Sequence, residues 1–126
     1  MARHNEVGSW GEKAAQEYLL RQGYAIMEQN VVIGKVEIDF VAMKGDRIVF
    51  VEVKTRSTSF VDPAEAVDRR KMMRLSRAVD AYIQSRNIQH EPQIDIISII
   101  GTPEASAESV VIEHIPDAFR PPLQSR

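Results

Sequence analysis

Four residues in the first half of the chain have types and spacing that could do chemistry. Glu37 and Asp39 lie in the run VEIDFVAMK, and Glu52 and Lys54 in the run RIVFVEVK. Both runs are rich in β-branched and apolar residues, and Gly45-Asp46 between them suits a two-residue hairpin turn. Pairing outward from that turn sets Lys44 against Arg47 and Met43 against Ile48, then Asp39 against Glu52 and Glu37 against Lys54. Side chains alternate along a strand, so these four share one face with Val41, Met43, Ile48 and Phe50. The other face receives Ile38, Phe40, Val51 and Val53. Opposed carboxylates sit with Cβ atoms about 5 Å apart and repel. A hard divalent cation, Mg²⁺ or Mn²⁺, held by Asp39 and Glu52 plus waters answers that repulsion. Lys54 adds a fixed positive charge beside it. Such a group can lower the pKa of a bound water and stabilise charge on a phosphodiester. The plainer alternative is a solvated edge hairpin neutralised by a Glu37–Lys54 pair, but the apolar residues of the same face suit the floor of a cleft.

Helical residues extend the set, each with two readings. Glu12 completes a capping box with Ser9, yet its spacing from Ala15 and Leu19 also points it at the sheet as a third carboxylate. Lys71 lies four after Val67 and four before Leu75, where it either lays its stem along the helix or meets a scissile phosphate or the carboxylates. Arg69, Arg70, Arg74 and Arg77 form either a solvated face or a phosphate-gripping patch, joined by Arg56 in the adjoining loop. Asp95 alternates out of an apolar strand, where a neighbouring arginine could pair with it; no chemistry is assigned to it.

The elements that must position these groups are legible. A helix is expected over Ser9–Gln22, stopped by Gly23, with Ala15, Tyr18, Leu19 and Gln22 turned inward. Strands follow over Tyr24–Asn30, Val36–Lys44 and Arg47–Lys54. A second helix opens at Asp62-Pro63 and runs to about Arg86 on Val67, Leu75, Ala78, Val79, Tyr82 and Ile83. Ile94–Ile100 reads as a buried strand and Val110–Ile115 as another, leaving a weakly ordered tail from Pro116. The crossover through the second helix makes the Ile94 strand parallel to a neighbour. The expectation is one α/β domain over 1–115, order α-β-β-β-α-β-β, with a mixed sheet flanked by helices and a tail at 116–126.

Composition closes off other classes. The 126 residues contain no cysteine, which excludes disulfides and thiolate chemistry, and His4, His90 and His114 lack zinc spacing. No apolar run reaches the roughly 20 residues of a membrane span, and the polar start lacks a signal-peptide core, so a cytoplasmic protein is expected. The net charge of −2 is uneven: residues 54–86 carry eight basic and four acidic groups, residues 87–126 two and six. There is no Gly-rich phosphate loop, and Gly8 and Gly11 lack the preceding strand of a dinucleotide fingerprint.

Asp39 followed by Glu52-Val53-Lys54, behind a helix bearing Glu12, resembles the PD-(D/E)xK nuclease superfamily. More narrowly, Gly11-Glu12-x-Ala14-Ala15, Glu37-Ile38-Asp39, Val51-Glu52-Val53-Lys54-Thr55-Arg56 and Pro63-x-Glu65-Ala66-Val67 resemble a small bacterial family described as endonuclease-like, akin to Holliday-junction resolvases. The likeness spans roughly residues 6–100. It implies a restriction-endonuclease-like fold, with Asp39, Glu52 and the Val53 carbonyl as Mg²⁺ ligands and Lys54 orienting the attacking water. Glu12 would be the helix-borne acid and Lys71 the downstream helix residue; resolvase relatives act as homodimers. Three departures stand out. Lys35-Val36 precedes Glu37 where a glycine is usual, Phe60-Val61 lacks a glycine, and Gln93-Ile94 replaces an arginine-aromatic pair before Asp95. The expected function is Mg²⁺-dependent hydrolysis of DNA, branched or structured. The alternatives are a silent nucleic-acid-binding module on the same fold and a protein-interaction module using the Ile48/Phe50 strip.

Overall fold

The Gly45-Asp46 hairpin forms the middle of the sheet, and everything else is built around it. A computed structural model describes residues 2–57 and 69–119. Helix α1 (Ala2–Arg21) is followed by β1 (Ala25–Ile33), β2 (Val36–Lys44) and β3 (Arg47–Arg56). Helix α2 (Arg69–Ser85) leads into β4 (Glu91–Ile100), a short 3-10 turn at Ala107–Ser109, and β5 (Val111–Ile115). The five strands lie in the order β1-β2-β3-β4-β5, antiparallel except for the parallel β3–β4 pair. This is the mixed α/β architecture expected of a restriction-endonuclease-like chain. The parallel step falls where the α2 crossover requires it.

Each helix covers one face. α1 lays Ala15 and Leu19 on Tyr24, Phe40, Ala42, Val49, Val51, Ile97 and Ile99. α2 lays Met72, Leu75, Ala78, Val79 and Tyr82 on Val41, Ile48, Phe50 and Ile94. The Ile48/Phe50 strip is therefore buried under α2 (5% and 0% exposed), which removes it as an interaction surface. Its apolar side chains serve the core.

The first helix departs from expectation at its start. It begins at Ala2, so Ser9 and Glu12 lie within it and cannot form a capping box. Its end is as expected: Gly23 adopts φ 88, and the Tyr24 N–H donates to the Leu19 carbonyl at 2.9 Å. Gln22 is exposed rather than inward. The helix approaches the sheet closely at Gly11, where an added Cβ would fall 2.0 Å from Thr55 Oγ1. The Asp62-Pro63 start of the second helix lies outside the described residues.

A buried polar network ties the two ends of the chain together. Asp95 is fully buried and accepts from Tyr24 Oη (3.0 Å), Gln93 Nε2 (2.8 Å) and the Asp117 N–H (2.9 Å), with His114 Nε2 at 2.7 Å. Its partners replace the arginine expected from sequence. The other ring nitrogen of His114, Nδ1, faces the Tyr18 hydroxyl at 2.9 Å. Burial and the Asp95 charge both push the Tyr24 phenol up from its ordinary pKa. Residues 117–119, the start of the expected tail, are fastened too; the rest of that tail lies outside the described residues. Besides Asp117, the Ala118 N–H donates to the Ile94 carbonyl at 2.7 Å, and Phe119 packs on the core.

Two substitutions test this frame. Asp95→Ala orphans several buried donors and should cost about 3–5 kcal/mol in denaturant unfolding. Gly11→Ala should cost roughly 1–3 kcal/mol, because Thr55 is short and cannot swing far from the added methyl.

Candidate functional site

The hairpin register is the expected one from the turn to Phe40–Val51, and there it ends. Asp39 and Glu52 would be the next pair and Glu37 and Lys54 a later one, but β2 leaves β3 before reaching them. Neither opposition expected from sequence forms. β2 continues alone with β1, through Val31–Ile38, Val32–Glu37 and Ile33–Val36. Asn30, between the Gln29–Phe40 and Val31–Ile38 pairs, takes φ 52, a left-handed conformation that turns a strand. The alternation of β2 breaks at the same level. Phe40 packs with the α1 side and Ile38, two residues away, with the α2 side, so Ile38 is not on the face expected for it.

Asp39 stands at this divergence. Its Oδ2 accepts the Val53 N–H at 2.7 Å, taking the place of the strand partner that β2 no longer supplies. In an antiparallel ladder the N–H and C=O of one residue point to the same neighbour. The Val53 carbonyl therefore faces the same opening as Asp39.

Four carboxylates converge here. The Asp39 carboxyl is pushed up from 3.8 to about 6, chiefly by burial. The Val53 hydrogen bond opposes the rise, and the charges of Glu12, Glu52 and Glu37 add to it. Glu12 is raised as well, by burial and then by Glu37. The helical acid flagged in the sequence thus lies near enough to Glu37 and Asp39 for the charges to act on one another. Glu52 is nearly buried, and its Oε2 receives no hydrogen bond. Lys71 Nζ lies 3.3 Å from that oxygen, an ion pair without hydrogen-bond geometry. Of the two readings of Lys71, the structure supports neutralisation of a carboxylate.

Lys54 is half-buried on β3, two residues from Glu52 and on the same face, beside Ser98 of β4. Arg56 is the last residue of β3 rather than part of a loop, and its Nη2 donates to Ser98 Oγ at 3.1 Å. Arg70 and Arg74 are exposed on α2; with Arg69, Met73 and Arg77 they line a shallow depression. Among the described residues, Lys71 links that helix to the acidic cluster through Glu52.

These donors fit a hard divalent cation in type. A buried carboxylate oxygen lacking a hydrogen bond, a second carboxylate hindered from ionising, and a backbone carbonyl make an all-oxygen set. Among the described residues no three His, Cys, Asp or Glu side chains form a group that could hold a metal. Two carboxylates, the Val53 carbonyl and water would have to share the task. The Asp95 network escaped the sequence reading, although a lone aspartate in an apolar strand signalled that buried donors must meet it.

The fold and cluster define a mixed α/β protein with carboxylates and lysines gathered where a central hairpin opens. The chain belongs to the uncharacterised protein family UPF0102, whose model matches residues 11–99. It is 47% identical over 124 residues to a UPF0102 protein of Bacteroides thetaiotaomicron, covering 98% of this chain and 99% of that one. It is 40% identical to a UPF0102 protein of Phocaeicola vulgatus over 98% and 99% of the two chains. The UPF0102 protein of Flavobacterium johnsoniae is 42% identical over 94% and 98%. No described helix is long and apolar enough to cross a membrane.

The charge on Asp39 has a measurable consequence in metal-free protein. Its folded pKa lies above its unfolded one, so the folded state holds the extra proton between about 3.8 and 6. The stability contributed by the neutral form is complete below that window and lost as pH rises through it. Asp39→Asn keeps an acceptor for Val53 and abolishes this loss. With chelator at pH 8 the variant should exceed wild type by on the order of 2 kcal/mol, discounted for partial exposure, and match it near pH 4.

Proposed function

We propose that this protein is a divalent-metal-dependent nuclease that hydrolyses phosphodiester bonds of DNA, as the resemblance to the PD-(D/E)xK superfamily implies. The observation that carries the reading is the placement of Asp39 at the point where β2 leaves β3, its carboxylate on Val53 and the charges of Glu12, Glu37 and Glu52 around it. Asp39, Glu52 and the Val53 carbonyl would hold Mg²⁺ or Mn²⁺. The ion, when bound, supplies a more acidic water and an electrophilic contact for a phosphate oxygen.

The chain's own groups do the rest. Lys54, beside Glu52 on the same face, is placed to hold the attacking water and offset negative charge gathering on the phosphate. Glu12 brings a carboxyl biased towards its protonated form. Arg56, Arg70 and Arg74, with exposed Arg69 and Arg77, supply positive charge for the nucleic-acid backbone. A cytoplasmic setting and pairing of two copies belong to the same reading. One observation favours a second one: the Lys71–Glu52 ion pair neutralises a carboxylate without any metal. That would suit a module which binds nucleic acid without cutting it.

Turnover separates the two. With Mg²⁺ or Mn²⁺, wild type should cleave linear, flapped or branched DNA, and Asp39→Asn, Glu52→Gln and Lys54→Ala should each lose at least about 100-fold. Binding without cleavage under all these conditions leaves the silent module. In chelator, Arg70→Ala with Arg74→Ala should lower the dependence of log affinity on log salt by about 2. An unchanged slope removes α2 from the nucleic-acid contact.

A further inference from the structure

We propose that Lys71 is a positioning residue that couples nucleic-acid binding to divalent-cation binding. It holds the Glu52 carboxylate when no nucleic acid is present and releases it when phosphates occupy the basic face of α2. This inference rests on the reading of Asp39 and Glu52 as cation ligands.

The two partners of the ion pair differ in exposure. The Glu52 side chain is 10% exposed and set in a central strand, whereas Lys71 is 45% exposed on a long, flexible stem. The pair is held by charge alone, because Glu52 Oε2 accepts no hydrogen bond. A cation bound to that oxygen would sit roughly 2.0–2.6 Å away. The Lys71 ammonium, 3.3 Å from the same atom, would then repel it. Lys71 and the cation compete for Glu52.

The second half of the coupling lies on the helix itself. Arg70 and Arg74 flank Lys71 in sequence; with Arg69 and Arg77 they surround Met73, and none of the four arginines forms an ion pair among the described residues. Arg70 and Arg74, four apart, repel along the helix. Phosphates settling there would relieve that repulsion and offer Lys71 a new anion. Its move frees Glu52 for the cation. Linkage is reciprocal, so cation binding must tighten nucleic-acid binding by the same factor. The metal-free pair in turn offsets one of four crowded carboxylates.

Calorimetric titration of Mn²⁺ into the full chain tests this without recourse to activity. Lys71→Met keeps the stem and removes the charge; Lys71→Arg keeps the charge. Without nucleic acid, Lys71→Met should bind Mn²⁺ about tenfold tighter than wild type, and Lys71→Arg should resemble wild type. A short DNA duplex, with the duplex-alone heat subtracted, should raise the wild-type affinity by a similar factor and leave Lys71→Met nearly unchanged. Equal or weaker Mn²⁺ binding by Lys71→Met, or an equal duplex effect on both proteins, overturns the coupling. If Lys71→Met fails to fold by circular dichroism, Lys71→Gln carries the same comparison. The underlying reading fails separately, and the inference with it, if Asp39→Asn takes up Mn²⁺ as well as wild type or neither takes it up.

Discussion

The hydrogen bond from the Val53 N–H to the Asp39 carboxylate is the constraint around which the acidic end of the molecule is organised. A strand that leaves a sheet exposes the backbone groups of the strand it leaves, and a buried N–H without an acceptor costs about as much as a lost hydrogen bond. Here a side chain completes the ladder. The consequence is a carboxylate pinned among Glu12, Glu37 and Glu52, buried enough that ionising it is disfavoured. Stability and site geometry pull against each other at this point, which is common where function is placed.

The rest of the fold makes that placement rigid. Glycine at position 11 lets α1 press onto Thr55, and the same helix, continuing to Tyr18, meets His114 of β5. Asp95 collects Tyr24, Gln93, His114 and Asp117 into one network, which the His114–Tyr18 contact joins to the helix. On the opposite face α2 spends its apolar stripe on the core and points its arginines outward. Lys71, between the two environments, is the side chain through which that helix meets the acidic cluster.

Much of this was legible in the chain. The glycine after the hairpin's first strand placed the turn, and a side-chain period of two then gave the correct register from Lys44–Arg47 to Phe40–Val51. The α2 stripe and the parallel β4 followed from periodicity and the crossover rule. For Glu12 the spacing leaves a capping box and a sheet-facing carboxylate level, and the helix start at Ala2 removes the first.

What the sequence by itself determined is the local inventory: which residues are strand, helix or turn, and the hairpin register from its turn to Phe40–Val51. Short-range sterics and hydrophobic period suffice for that, because they act between neighbours in the chain. Only the tertiary structure decided that β2 departs at Asp39, that Ile38 crosses to the α2 side, that Lys71 meets Glu52 and that Asp95 meets His114. Each depends on a left-handed residue, a close helix approach or a long-range polar match. Such terms are set by the packing of distant segments, and the spacing of letters does not carry them.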